Sequence, residues 1–398
     1  MEKSIDELLT RGVATIYPSK EFLEGKLKGG EKLTLYLGID PTGPTLHLGH
    51  SIQLRKLSEF QALGHKIILL IGDFTATIGD PTGKISARKM LTRDEVLVNA
   101  SLYKKQASRW LDFRGGNKAE LKYNSKWLAK MNLADYIKLS ANITVDQLLA
   151  RDMFKKRQEE GKPIFLHEFY YPLLQGYDSV AMNVDGELGG SDQIFNMLVG
   201  RDLMKIIVGK EKFVLGTKLL EDAVGKKMGK TEGNMVALDE DANQMFGKIM
   251  SWADELILPG LELCTRLPME KIQEIKSKLE GDLNPRDAKL ILAEEIVAIY
   301  HNRKKARESK KNFLAVFSEK SGTGEVKETK VATGELLVDI VSREKLVSSK
   351  SDFRRLITEG AVSNAETKEK ITDPFFKVTN NLTVRIGPLR FLKIVVRN

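Results

Sequence analysis

Two histidines three residues apart are the first place to look for chemistry: His47 and His50, in the run Pro41-Thr-Gly-Pro-Thr-Leu-His47-Leu-Gly-His50. On a helix, residues at i and i+3 share a face. Gly49 between them lets a ligand approach the backbone, and a helix N-terminus presents unpaired N–H groups and positive dipole, which suits phosphate. Two imidazoles so placed can donate hydrogen bonds to the charge that builds on a nucleotide's phosphates during an in-line displacement. Two other readings stand beside this one: helix-surface histidines, or half of a zinc site. The zinc reading needs further ligands, and His65, His167, His301 and Cys264 do not have ligand spacing, so no metal residues are assigned.

A second group is Gly79-Asp80-Pro81-Thr82-Gly83-Lys84. It is not a phosphate-binding P-loop, which needs four residues between its glycines and Ser or Thr after its lysine; here there are three, and Ile85 follows. Asp-Pro-Thr-Gly makes a turn in any context. Asp80, Lys84 and Arg88 are nonetheless close enough in sequence to supply one cleft with a carboxylate for an amine and two cations for phosphates. The third group is Lys226-Lys227-Met228-Gly229-Lys230-Thr231 in a glycine-containing loop. Alone it reads as a solvated basic loop; with the histidine pair it reads as lysines that close over the pyrophosphate end of a bound nucleotide.

These groups need a scaffold. Residues 33–39 and 66–71 are short apolar runs, and 47–63 between them has the pattern of a helix, which makes a βαβ unit with a parallel sheet. Further strands are expected around Val180 to Val184 and at Lys212 to Leu215, with helices near 94–111, 144–160 and 191–205. The expected fold class is α/β, a doubly wound, Rossmann-like parallel sheet, whose ligands sit beyond the carboxyl ends of the strands. After a loop at 221–235 the pattern turns helical at 239–252, 268–280 and 285–313. Ser318 to Lys330 is polar and nearly free of apolar residues, and 334–398 reads as two short helices followed by three or four strands. The expected division is a catalytic domain over 1–235, a helical domain over 236–317, a linker over 318–333 and a small α+β domain over 334–398.

Composition bounds the setting. The chain has 398 residues, 42% apolar and 29% charged, which excludes disordered and collagenous classes. A single cysteine, Cys264, cannot form an internal disulfide, and a reducing, cytoplasmic location is expected. The N-terminus lacks the pattern of a signal peptide, and no run approaches the roughly 20 apolar residues of a membrane span. The formal charge is +9. Tyr300 to Phe313 holds six Lys/Arg against one Glu, Gly334 to Asn398 holds twelve against eight Asp/Glu, and the remainder is net neutral. A polyanion, if one binds, should be held by the last quarter of the chain.

The ordered pair His47-Leu-Gly-His50 and Lys227-Met-Gly-Lys230-Thr231, about 180 residues apart, resembles the HIGH and KMSKS signatures of class I aminoacyl-tRNA synthetases. Tyr36-Leu-Gly-Ile-Asp40-Pro-Thr42, Tyr171-Pro-Leu-Leu-Gln175-Gly-Tyr-Asp178 and Gly189-Gly-Ser-Asp192-Gln193 look like bacterial tyrosyl-tRNA synthetases. Ser349 to Val362 is similar to an S4-type RNA-binding module. The resemblance covers nearly the whole chain. It implies a ligase that activates L-tyrosine with ATP and Mg²⁺ and transfers it to tRNA, working as a homodimer, with no permanently bound cofactor and no membrane partner. It also implies roles: Tyr36 and Asp178 for the phenolic hydroxyl; Asp80, Tyr171 and Gln175 for the α-ammonium; Gln193 for the carboxylate side. Gly38, Asp40, Thr42, Gly49, Gly190 and Asp192 would line the nucleotide, and His47, His50, Lys84, Arg88, Lys227, Lys230 and Thr231 would meet its phosphates. Lys350, Arg354 and Arg355 would contact RNA. A tryptophanyl relative, a non-catalytic RNA-binding protein and a small nucleotidyltransferase remain as rivals. Tyr36 with Asp178 speaks against the first, the intact signatures against the second, and the RNA-like tail against the third.

Overall fold

The computed structural model describes residues 2–82, 90–221, 235–318, 328–347, 349–387 and 390–397. They form two compact units, Met1–Ala306 and Arg307–Asn398. The first is built on a six-stranded sheet of β1 (Val13–Tyr17), β2 (Thr34–Ile39), β3 (Lys66–Ile71), β4 (Glu120–Tyr123), β5 (Gly186–Gly190) and β6 (Phe213–Thr217). The order is β1-β6-β5-β2-β3-β4, with β2 to β6 parallel and β1 antiparallel at the edge. The apolar run of β3 is buried on both faces, as a central parallel strand must be. Its register with β2 places Tyr36 beside Ile68 and Ile39 beside Ile71.

From β2 the chain builds outward through β3 and β4 on one side, then returns to lay β5 and β6 on the other. The strand order therefore reverses between β2 and β5, and the crevice beyond their carboxyl ends is where a ligand fits. Asp40 and Thr42 follow β2, the Gly72–Asp80 segment follows β3, Asn124 follows β4, and Asp192 and Gln193 follow β5.

The expected strand at 180–184 is not there. The Leu166–Met182 helix occupies its first residues and ends on Asn183, and the strand is Gly186–Gly190. Gly-Glu-Leu-Gly-Gly is a poor strand by propensity, but the glycines give room to neighbours. A Cβ on Gly186 would lie 2.1 Å from the Phe213 ring. Other helices are shorter than their patterns suggest: 94–111 resolves into Arg93–Ala100 and Tyr103–Ala107, 144–160 into Val145–Leu149 and Asp152–Glu159, and 285–313 into Pro285–Tyr300 and Arg303–Ser318.

The helices of 236–306 join the sheet in one unit. Arg11 donates to the carbonyls of Glu262 (3.1 Å), Thr265 (3.3 Å) and Leu267 (2.7 Å), and Arg55 also donates to Glu262 O. Two guanidinium groups thus satisfy the carbonyl end of the Ile257–Cys264 helix.

In the second unit, strands Glu328–Ala332, Arg390–Arg397, Leu382–Ile386 and Val362–Asn364 lie side by side in that order, the first pair parallel and the others antiparallel. Helices Leu337–Arg343 and Lys350–Thr358 accompany them, and Phe353, Leu356, Val362, Leu392 and Ile394 are core residues. The expected linker over 318–333 is therefore regular at its end, where Glu328–Ala332 pairs with the last strand. Among the described residues, no helix is long and apolar enough to cross a membrane.

Candidate active site

His47 is the N-cap of the Leu48–Ala62 helix, and His50 is its third residue. Gly49 N donates to His47 Nδ1 at 3.1 Å, and His47 N donates to His50 Nδ1 at 3.2 Å. This is a capping box made of two imidazoles, whose ring centroids are 4.0 Å apart. An imidazole that accepts at Nδ1 carries its proton on Nε2, so each ring offers an N–H donor on its far side. The chain following the second signature comes back to this point: Leu48 N donates to Val236 O at 3.0 Å, and His47 pairs with Ala237.

A polar pocket opens beyond the strand ends. Asp40 accepts from Tyr171 OH at 2.9 Å and from Thr75 Oγ1 at 2.7 Å. Asp80 accepts from Gln193 Nε2 at 2.8 Å and from Thr82 N at 3.0 Å. Gln175 Nε2 donates to Glu187 Oε1 at 3.1 Å, while the buried Gln175 Oε1 meets no hydrogen-bond donor among the described residues. Two carboxylates, a phenol and an orphaned amide oxygen are what a buried ammonium group would satisfy. Asp40, expected at the nucleotide, is thus tied to Tyr171, which is expected at the α-ammonium.

Deeper in, Tyr36 and Asp178 are buried neighbours held by different partners. Asp178 accepts from Trp127 Nε1 at 2.7 Å and Asn124 Nδ2 at 3.2 Å. Asn124 is itself fixed, because its Oδ1 accepts from Phe74 N at 2.9 Å. Burial raises the Asp178 carboxyl well above the usual carboxylate range, against the two donors that favour its ionised form. The Tyr36 hydroxyl lies 3.0 Å from Ser179 Oγ, and burial, then Glu187 and Asp178, push it well above an ordinary phenol. Beneath them Lys212 pairs with Glu187; both are buried.

Gly38 is the one exposed residue of β2, and a Cβ there would meet nothing closer than Tyr36 Cε2 at 3.8 Å, so the strand end is open. Thr42 is exposed, with its N–H on Asp40 O at 2.8 Å. A Cβ on Gly190 would lie 2.5 Å from Asp192 Oδ1, so this glycine lets the Asp192 carboxylate fold back across the end of β5. Lys84, Arg88, Lys226, Lys227, Lys230 and Thr231 lie outside the described residues.

Several residues in the pocket carry no motif: Asn124, Trp127, Ser179, Glu187, Lys212 and Arg151. Arg151 donates to Thr82 Oγ1 at 2.8 Å and stacks 4.5 Å over Phe195. Burial brings its guanidinium down to about 10, still charged at neutral pH, beside Asp80 and Tyr171.

On the Lys350–Thr358 helix, Lys350 pairs with Asp339 at 2.7 Å, and Arg355 pairs with Asp352 and Glu359, each at 2.8 Å. Arg354 lies 5.7 Å over the ring of the exposed Phe375.

Known proteins resemble this chain along most of its length. Residues 28–318 match the family of tRNA synthetases class I (W and Y). The tyrosine–tRNA ligase of Carboxydothermus hydrogenoformans is 46% identical, over 98% of this chain and 97% of its own. That of Thermotoga maritima is 41% identical, over 98% and 96%. Among solved structures, a C-terminally truncated mitochondrial tyrosyl-tRNA synthetase from Aspergillus nidulans superposes with a TM-score of 0.66 at 23% identity, covering 79% of this chain and 94% of that one, a likeness of fold. With a family match over most of its length and ligases of one specificity alongside it end to end, the chain belongs to the class I tRNA synthetases for tryptophan and tyrosine, on the tyrosine–tRNA ligase branch.

Proposed function

We infer that the overall reaction, tyrosine and ATP joined through tyrosyl-adenylate and then transferred to the 3′-terminal adenosine of tRNA, is carried out by the residues gathered at the β2/β5 crevice. Family membership supports the overall reaction. The observation that carries the residue roles is the paired placement of Tyr36 and Asp178 below an acidic, amide-lined pocket. A phenol entering between Tyr36 and Asp178 brings its α-ammonium to Asp80, Tyr171 and Gln175, with Asp40 joining them through Tyr171. Gln193 then faces the carboxylate side.

The carboxylate attacks the α-phosphorus of ATP, which arrives with Mg²⁺ as part of the substrate. No protein nucleophile is needed. Catalysis consists of alignment and of donors aimed at developing charge. His47 and His50 supply Nε2–H groups at a helix N-terminus, where phosphate charge is favoured. The proposal gives Lys84, Arg88, Lys227, Lys230 and Thr231 the departing pyrophosphate. It is supported by the return of the chain to Leu48 at Val236, six residues beyond Lys230. Gly38, Thr42, Gly49, Gly190 and Asp192 line the nucleotide, with Asp192 on its ribose.

The division into a catalytic domain (1–235), a helical domain contacting the anticodon arm (236–317), a linker (318–333) and an RNA-binding domain (334–398) is part of the proposal. So are a cytoplasmic location and a homodimer. Exposed apolar side chains at Leu133, Ile137, Val145, Phe165 and Leu166, all within one stretch of 34 residues, support the dimer. ATP–pyrophosphate exchange tests the pocket: it should require L-tyrosine, and exchange with tryptophan but not tyrosine would overturn the assignment.

A further inference from the structure

We propose that Lys212 and Ser179 are positioning residues that turn the Tyr36 hydroxyl into a donor toward the substrate's phenol, completing a one-way chain of hydrogen bonds that ends on Asp178. The inference rests on the reading of Tyr36 and Asp178 as the phenol pocket.

The direction follows from counting protons. An ammonium group only donates. Lys212 Nζ donates to Ser179 Oγ at 2.9 Å and to Glu187 Oε2. Ser179 therefore accepts from lysine and has one hydrogen left to give, either to Tyr36 OH at 3.0 Å or to Glu187 Oε2 at 3.4 Å. The second distance is beyond the usual O–H···O range. The serine hydrogen goes to Tyr36. With its oxygen accepting from Ser179, Tyr36 keeps its own O–H to give, toward Glu187 in the empty pocket and to the ligand once a phenol enters. Asp178 as a carboxylate can only accept, and a third donor still fits its lone pairs beside Trp127 and Asn124. A phenol between the two accepts from Tyr36 and donates to Asp178.

Every donor then points the same way, from Lys212 through Ser179, Tyr36 and substrate to Asp178, and each bond polarises the next. The head of the chain is a fully buried lysine, and its partners Ser179, Glu187 and Tyr36 are all within 2% of full burial. The fold makes room for this contact. A Cβ on Gly200 would lie 2.8 Å from Lys212 Nζ and 3.0 Å from Ser179 Oγ. Phenylalanine in this pocket leaves the Tyr36 donor and the Asp178 acceptor both unpaired, so the relay acts on discrimination rather than on binding of the ring.

The test is the ratio of kcat/KM for tyrosine over phenylalanine in ATP–pyrophosphate exchange. Ser179→Ala, which leaves the Lys212–Glu187 pair intact, should lower the ratio about 10- to 100-fold, chiefly through KM for tyrosine. Ser179→Thr, which keeps the hydroxyl, should restore most of it. Because Lys212→Met alone strands a buried carboxylate, Lys212→Met is combined with Glu187→Met, and the pair should lower the ratio as Ser179→Ala does. Tyr36→Phe separates the two levels of the argument. If it loses discrimination while Ser179→Ala and the double variant keep the wild-type ratio, the relay is wrong and the pocket stands. If Tyr36→Phe also keeps the ratio, the pocket assignment falls and the relay with it.

Discussion

The pocket under Tyr36 and the face of the Lys350–Thr358 helix use the same chemical groups under opposite conditions. In the pocket, Lys212, Glu187, Ser179 and Asp178 are each no more than 3% exposed. On the helix, the side chains of Lys350 and Arg355 are 63% and 60% exposed, and their pairs with Asp339, Asp352 and Glu359 stand in solvent. A charge in the interior is held only if every bond is made, so the arrangement is fixed and can identify a ligand atom by atom. A charge in water is weakly held and screened, so it attracts a polyanion without fixing its position. On the proposed assignment, selection of the amino acid belongs to the first region and capture of RNA to the second.

Removing 334–398 is the most severe way to separate them. It should abolish tRNA charging while tyrosyl-adenylate still forms at the wild-type rate, measured by charging and by pyrophosphate exchange on the same preparation. Loss of adenylate formation in a folded truncated protein would show that the two regions are not independent. Next in size is Asp178→Ala, which leaves the Trp127 and Asn124 donors facing a hole. Breaking a buried, hydrogen-bonded charge costs about 3–5 kcal/mol, so kcat/KM for tyrosine should fall on the order of 10²- to 10³-fold. KM for tRNA should stay within about twofold.

The two regions should also answer to different solution variables. Burial raises the Asp178 carboxyl above ordinary carboxylates, so it gains its proton at a pH where exposed acids remain ionised. Protonated, it no longer accepts from a phenol in the same way. KM for tyrosine should rise as pH falls through that raised value, and Asp178→Asn should remove this limb. The linkage to stability runs in the opposite sense. A raised folded-state pKa contributes stability that is present below the unfolded carboxylate value and is lost as pH rises through the folded one. Added tyrosine, which binds the ionised form, should therefore protect more against thermal unfolding at the higher pH. Salt should do the reverse. Charging kcat/KM for tRNA should drop on the order of 10-fold between low and physiological ionic strength, while adenylate formation barely changes.

The two regions also differ in how much of them could be read from sequence. Tyr36, Asp40, Asp80, Tyr171, Gln193 and the histidine pair sit in short motifs, and the structure brings them around one crevice. The supporting residues do not announce themselves. Lys212 precedes a strand, as surface lysines often do, and Glu187 stands among glycines, just past the segment where a strand was expected. Each makes sense only against the other, 25 positions away. The same glycines hid β5, because propensity favours a side chain on a strand and here the Phe213 ring takes its place. The break after Tyr300 was legible in principle. Asn302 Oδ1 accepts from Lys305 N at 2.9 Å, an N-cap at the start of the Arg303–Ser318 helix, masked in the sequence by the helical pattern that continues on either side. Arg151 had no signal, since its partners Thr82 and Phe195 lie far along the chain in both directions.

The finest distinction lies between two adjacent arginines on the exposed helix. Arg355 donates to Asp352 Oδ1 at 2.8 Å and to both oxygens of Glu359, at 2.8 and 3.0 Å. A phosphate competes with those carboxylates for the guanidinium, so much of the attraction is already offset. Arg354 instead rests over Phe375, a ring that is 59% exposed and can stack against an unpaired base while the cation meets the backbone. Arg354→Ala should raise KM for tRNA about fivefold and Phe375→Ala by a similar factor, whereas Arg355→Ala should stay within about twofold. Steady-state charging at fixed salt measures all three. A larger loss at Arg355 than at Arg354 would mean that RNA reorganises the carboxylates, and that this face, like the pocket, is built around a specific arrangement of partners.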